Sequence, residues 1–295
     1  VKESDLLLVV GARLGEITTQ GYALIETPRP TQTLVHVHAS AEELGRVFQP
    51  ELGIQSGMPQ IAAALRGLTL TPNPAWKDWA ATLRADWASW SSLRDYGGSL
   101  DLGQVMAEIA KRMKPDSIVT VDAGNFSGWP MRFLRFHQLR TFAAPTSGAM
   151  GYAVPAAVAA AITYPDRHVF GFVGDGGFMM TGQELATAMH YRAKPIIFVF
   201  NNGMYGTIRM HQERHHTGRY IATDLTNPDF AALIRSYGGH GETVEKTAAF
   251  GPALDRAIAS GLPAVVELRM DPNVISTTTT LKAMQEAAAK ATASA

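Results

Sequence analysis

No cysteine occurs in this sequence. That excludes disulfides, thiolate metal sites and a cysteine nucleophile, and it is compatible with a cytoplasmic setting. Neither sign of charge is in excess, since 26 Lys and Arg balance 26 Asp and Glu. Nothing in that balance calls for nucleic acid or an anionic membrane as a partner. Long apolar runs are missing too. "LLLVVGA" at 6–12 is far too short to span a bilayer and lacks the flanks of a signal peptide. "GYAVPAAVAAAI" at 151–162 carries Pro155 and reads as a buried helix. What is present is 46% hydrophobic residues over 295 positions, enough core for one large domain or two ordinary ones.

Short apolar runs bounded by turn residues, "LLLVV" at 6–10 and "TLVHV" at 33–37, have the look of buried parallel strands. A helical pattern, "AEELGRVF", follows at 41–48, so residues 1–68 read as a small α/β unit. "LTLTPNP" at 68–74 reads as a linker. A helical stretch follows from 75 to about 93, whose Trp76, Trp79, Trp87 and Trp90 read as packing residues. Residues 69–98 together join the two parts. From 99 to 280 helix and strand alternate: helix 101–113, strand 117–122, helix 149–162, strand 168–174, helix near 181–192, strand 195–201. Two more helices lie within 227–238 and 248–260, before a last strand at 263–270. Repetition of this kind implies a doubly wound parallel sheet. The alanine-rich tail, 281–295, reads as a fraying helix without chemistry of its own.

One stretch stands out. "GDGGFMMTGQELATAMHYRAKPIIFVFNNGMYG", 174–206, places Asp175 after one strand and Asn202 after the next, with 24 residues between Gly176 and Asn201. Ligands of a doubly wound sheet sit outside the carboxyl ends of its strands. Neighbouring strand ends lie about 5 Å apart, within reach of one small cation. One carboxylate and one amide suit Mg²⁺ or Ca²⁺ rather than zinc, and Mg²⁺ commonly completes its shell with phosphate oxygens. Gly174, Gly176 and Gly177 allow the close backbone approach that phosphates need. Turn chemistry alone accounts for an isolated Asp-Gly or Asn-Gly. Here a second motif, "TSGAMGYAVPAA" at 146–157, accompanies them.

Together these motifs resemble those of thiamine diphosphate-dependent enzymes, in the acetolactate synthase-like group. The resemblance covers roughly residues 5–280. It implies a thiamine diphosphate-binding fold preceded by part of a Rossmann-like central domain. It implies thiamine diphosphate and Mg²⁺ as cofactors, with Asp175, Asn202 and the main-chain carbonyl of Met204 as metal ligands. By the same resemblance Gly148 accepts a hydrogen bond from the aminopyrimidine. Met150 wedges between the two rings, so that the cofactor's own imino nitrogen reaches the thiazolium C2. Gly124 and Asn125, in "DAGNFSG" at 122–128, match a diphosphate-contacting loop, although Phe126 stands where relatives often carry histidine. Tyr205 contacts the diphosphate or packs.

The implied activity is carbon–carbon bond cleavage and formation on 2-keto acids, as in an acetolactate synthase-like carboligase. A decarboxylase resembling benzoylformate decarboxylase is the alternative; another class of reading is a non-catalytic phosphate- or nucleotide-binding module. "VVGARLGE" at 9–16 is not a dinucleotide fingerprint, and His38 and Ser40 occupy the positions where flavin-carrying relatives hold acidic residues, which speaks against FAD. No segment resembles the pyrimidine-binding domain or its glutamate. The expectation is therefore a carboxyl-terminal portion, inactive alone, that works with the missing domain in a homo-oligomer. "HQERHHTGRY" at 211–220 reads as a solvated or substrate-facing segment rather than a zinc site, since His211 and His215 lack further ligands at metal spacing.

Overall fold

The computed structural model describes residues 1–71, 73–74 and 76–293. Pro72 of the expected linker, Ala75 at the start of the tryptophan helix, and Ser294 and Ala295 of the tail lie outside the described residues. The chain divides into two compact units, Val1–Thr82 and Leu83–Ala295.

In the first unit three strands, β1 (Leu6–Val10), β2 (Thr33–His38) and β3 (Leu52–Gln55), pair in parallel in the order β1-β2-β3. Val9, Ile25, Leu34 and Phe48 form its small core. Helix α1 (Met58–Arg66) follows β3. The helix expected over 41–48 is only a 3₁₀ turn at Ala41–Glu43, because the chain turns left-handed at Gly45 (φ +77°). Helix α2 (Trp76–Trp90) contains the division between the units. Its four indoles do not pack as expected: all are about half exposed. Instead, Trp87 and Trp90 carry the guanidinium groups of Arg135 and Arg132, at 4.7 and 4.5 Å from the ring centres.

The second unit is built on a parallel sheet. In chain order it contains α3 (Leu102–Arg112), β4 (Ile118–Val121), α4 (Gly128–Phe133), β5 (Phe142–Ala143), α5 (Ala153–Thr163), β6 (Val169–Gly174) and α6 (Asp175–Thr181). There follow α7 (Leu185–Tyr191), β7 (Ile196–Asn201), α8 (Gly206–His215), α9 (Phe230–Ser236), β8 (His240–Val244), α10 (Thr247–Ser260), β9 (Ala264–Arg269) and α11 (Leu281–Ala293). Among the described residues the sheet order is β5-β4-β6-β7-β9-β8, every pair parallel.

Side-chain alternation along the central strands assigns each face its own packing. Phe170, Phe172, Phe198, Phe200, Val266 and Leu268 point to the face covered by α3 and α10. Val169, Val173, Ile197, Val199 and Val265 point to the other, against α5, α7 and α9. Both faces are buried, which is why these strands read as unbroken apolar runs. Alanine-rich α5 lies close on β6: an added Cβ on Gly171 would stand 3.2 Å from Ala157 and 2.7 Å from Ile197.

Three boundaries differ from expectation in ways that shape the site. The helix expected near 181–192 begins six residues earlier, directly at Asp175, and is interrupted by a 3₁₀ turn at Gly182–Glu184. The helix expected from 149 starts at Ala153, leaving Met150 on a loop. Strand β8 and helix α8 carry no apolar signal: "HGETV" is an edge strand of mixed polarity, and α8 is strongly polar.

Candidate functional site

Three strands deliver the site. Gly174 ends β6 opposite Phe200 of β7, so Asp175 and Asn202 emerge from adjacent strand ends. The segment after β4, the other neighbour of β6, brings Gly124 and Asn125. The chain leaves β4 towards β5 and returns across it to β6, so this is the point where strand order reverses, the usual place for a ligand. A cavity of about 220 Å³ opens there. All eleven sequence-predicted residues line it: Gly124, Asn125, Gly148, Met150, Gly174, Asp175, Gly176, Gly177, Asn202, Met204 and Tyr205.

Asp175 is 3% exposed. Its Oδ2 accepts the Gly203 N–H at 2.9 Å and an Asn227 Nδ2–H at 2.8 Å. Its Oδ1 accepts the Gly176 N–H at 2.9 Å. Burial pushes this carboxyl up, and the donors from Asn227, Gly176, Gly203 and Asn202 oppose the rise. A cation beside a buried carboxylate favours its charged form. Asn202 Oδ1 accepts the Met204 N–H at 3.2 Å, which holds the amide over the same turn. Gly203 makes that turn possible with φ +67°, a conformation costly for residues with a side chain. Met204 is then pinned by a short antiparallel bridge to Asp224, with Tyr205 N–H donating to the Thr223 carbonyl at 2.8 Å. No group of three His, Asp or Glu among the described residues could hold a metal alone. A cation here would draw on one carboxylate, one amide and main-chain or ligand oxygens.

The glycines do different things. Gly176 makes room for Tyr205, whose ring would lie 2.5 Å from an added Cβ. Gly177 lies against Asp122, whose Oδ2 an added Cβ would overlap. Gly148 (φ +68°) faces open space. Gly174 backs on Phe126, whose ring packs at a tilt against Phe200, centroids 5.2 Å apart.

Sequence reasoning missed several residues that hold this geometry. Asp122 is buried and accepts the N–H groups of Gly151 at 2.8 Å and Tyr152 at 2.7 Å, with Ala153 at 3.4 Å. It thereby ties the Met150 loop and the start of α5 to the end of β4. Thr207 Oγ1 accepts the Asn125 N–H at 3.0 Å. Asn227 joins Asp175 from 52 residues away. The polar segment at 211–220 is not wholly solvated as expected. Glu213 is buried there and accepts from Arg209, Gln285 and the Gly218 N–H, while Arg209 lies 3.0 Å over the Tyr220 ring. His211 and His215 stack face to face at 6.5 Å.

Residues 122–268 match the thiamine pyrophosphate enzyme C-terminal TPP binding domain, and residues 1–65 match the central domain of the same enzymes. The chain belongs to the thiamine pyrophosphate enzyme family. Within that family it is similar to the acetolactate synthase large subunit of Corynebacterium glutamicum, 31% identical over 270 residues, covering 87% of this chain and 42% of the relative. Similarity extends to the acetolactate synthase isozyme 2 large subunit of Escherichia coli (29%, 92% of this chain, 48% of the relative). A sulfoacetaldehyde acetyltransferase of Castellaniella defragrans is 27% identical over 87% of this chain and 47% of its own. The chain thus spans under half the length of these curated relatives. The matched range, 122–268, includes all eleven of the sequence-predicted residues that line the cavity. Among the described residues no helix is long and apolar enough to cross a membrane.

Proposed function

We propose that this cavity holds the diphosphate end of thiamine diphosphate through Mg²⁺, and that the chain serves acetolactate synthase-like carboligation of 2-keto acids. The observation that carries this reading is the convergence of Asp175, Asn202 and Met204 with Gly148 and Met150 on one cavity at the reversal of strand order. The donor set fits: three hard oxygens, one of them charged, leave positions for phosphate oxygens on a small cation. Asp175 supplies the protein charge. Asn202 and the Met204 carbonyl would complete the protein's share, and Gly124 and Asn125 would face the diphosphate. Gly148 would accept the aminopyrimidine hydrogen bond beside Met150. When bound, thiamine diphosphate supplies the electron sink that lets the bond between a keto carbon and its carboxylate break.

Asp175 is the one acidic residue lining the cavity among the described residues, and it is committed to the cation. The acid that protonates the pyrimidine therefore comes, on this reading, from a pyrimidine-binding domain brought by another segment or subunit of a homo-oligomer. Exposed apolar residues of the cavity lining support such a cover: Met150 and Ile208 both present substantial surface. The partition into 1–68, 69–98, 99–280 and 281–295, the cytoplasmic setting and the absence of FAD belong to the same proposal. The relatives reported above are synthases and acetyltransferases, which favours ligation over simple decarboxylation.

Calorimetry tests the site. Thiamine diphosphate with Mg²⁺ should bind the chain, and Asp175→Ala should remove that binding, because it deletes the one charged protein ligand. Equal affinity in both would sink the assignment. The chain alone, saturated with cofactor and Mg²⁺, should release no carbon dioxide from pyruvate or benzoylformate. Turnover would show that the required acid lies within these residues.

A further inference from the structure

A partly buried line of side chains runs from β9 to Asp175 through Asn201 and Asn227. Glu267 is 0% exposed on β9, and its carboxylate can only accept. It takes an Asn201 Nδ2–H at 2.7 Å, the Thr243 hydroxyl at 3.0 Å and the Arg269 Nε–H at 3.2 Å. With its nitrogen turned to Glu267, Asn201 must present Oδ1 on its other side. That oxygen accepts an Asn227 Nδ2–H at 2.9 Å and the Gly203 N–H at 3.1 Å. Asn227 then points the same Nδ2 group at Asp175 Oδ2, at 2.8 Å. An amide has one donating and one accepting end, so a carboxylate at the start of the line fixes the sense of each bond after it.

We propose that Asn227 and Glu267 are positioning residues that decide which oxygen of Asp175 is left to meet the divalent cation. Oδ2 carries two donors, the Gly203 N–H and Asn227. Oδ1 carries the Gly176 N–H, and no side chain donates to it. The inference rests on the reading that Asp175 ligates the cation. Without Asn227 the carboxylate keeps the Gly203 and Gly176 amides but loses the one side-chain donor that ties Oδ2 to Asn201 and Glu267. With the line intact, it is held in a single orientation before the cation arrives. Outer partners of metal ligands typically change affinity by about 10–100-fold.

The test is titration of Mn²⁺ into the full chain with thiamine diphosphate present, counting free ion by electron paramagnetic resonance. Far-UV circular dichroism and an unfolding midpoint accompany each variant. Asn227→Ala should weaken Mn²⁺ by about 10-fold or more. Asn227→Asp is isosteric and adds negative charge near the cation, yet it should weaken binding as well, because it faces Asp175 with an acceptor. Glu267→Gln, whose Oε1 can still accept from Asn201, should stay near the parent, whereas Glu267→Ala should not. Parental affinity in Asn227→Ala, or tighter binding in Asn227→Asp, would overturn the proposal. Should Asn227→Ala fail to fold, the direction of the Asn227→Asp change decides. Asp175→Ala separates the two levels. If it loses Mn²⁺ while Asn227→Ala keeps it, positioning alone is wrong; if the parent binds no Mn²⁺ or Asp175→Ala binds normally, the cation reading falls and this inference with it.

Discussion

Replacing Gly177 by alanine puts a methyl group against the buried carboxylate of Asp122, inside van der Waals contact with Oδ2 and 3.2 Å from Val173 Cγ2. Two effects oppose each other. Gly177 lies within α6 without a left-handed φ, so alanine by itself should favour the helix by about 0.5–1 kcal/mol. Forcing a methyl into a filled space costs about 1–3 kcal/mol, because Asp122 cannot retreat without loosening its bonds to the Gly151 and Tyr152 amides. Overpacking should win, for a net loss of roughly 1–2 kcal/mol.

Removal of the carboxylate reverses that sign. Asp122→Ala alone leaves two inward-facing amides without their acceptor, at about 1–3 kcal/mol each. In that background the methyl group of Gly177→Ala loses its overlap with the carboxylate and keeps the tight but tolerable contact with Val173 Cγ2 at 3.2 Å, so the substitution should be neutral or slightly stabilising. The double-mutant cycle should therefore show a coupling of about 1–3 kcal/mol, well beyond the ~0.5 kcal/mol expected of independent sites. Urea unfolding followed by far-UV circular dichroism supplies the four free energies, provided the slopes match. Additivity within that margin would refute the contact argument. Gly177 would then be required for another reason, the approach of a ligand being the first to test.

Thr207→Val keeps the shape of the side chain but removes the acceptor of the Asn125 N–H. It should cost about 1 kcal/mol and speed hydrogen exchange at the Asn125 amide; unchanged exchange would count against the contact. Glu213 supplies a pH prediction. Burial pushes its carboxyl up, but the Gly218 N–H, Arg209 and Gln285 outweigh burial and hold it below the ordinary carboxylate range. A lowered folded pKa stabilises fully above the unfolded value, about 4.3, and that contribution disappears as pH falls through the folded one. Unfolding midpoints of the parent and Glu213→Gln should therefore converge on acidification below about pH 4; parallel profiles would show that this carboxylate adds nothing.

Much of the fold was legible because both faces of the central strands are buried. "VFGFVG" and "IIFVFN" could be read as strands without knowing what covers them. Strand β8 could not, since it lies at the sheet edge and mixes His240, Glu242 and Thr243 with a single buried Val244. Over 41–48 the apolar spacing suggested a helix, and one left-handed glycine ended it after a turn. The start of α6 was misplaced for a related reason: Asp175, Gly176 and Gly177 are turn formers by composition, yet here they make the first turn of a helix.

The site was legible only where spacing along the chain carries it. Asp175 and Asn202 could be paired because a helix and a strand of ordinary length fit between them. Asp122 and Asn227 are the same residue types, and although Asp122 opens the marked segment 122–128, nothing along the chain shows which groups either one holds. Their partners lie 29 to 31 residues away for Asp122 and 26 and 52 for Asn227, on elements that meet only in the fold. The two buried aspartates differ in place rather than in hydrogen-bond count. Asp122 distributes both oxygens over successive amides at the start of α5, so it serves as an anchor. Asp175 has the same split, two donors on one oxygen and one on the other, but it stands in the cavity wall. That place in the cavity wall, rather than a difference in donor count, leaves Asp175 able to meet a ligand while Asp122 anchors α5, and it exists only once β4, β6 and β7 stand side by side.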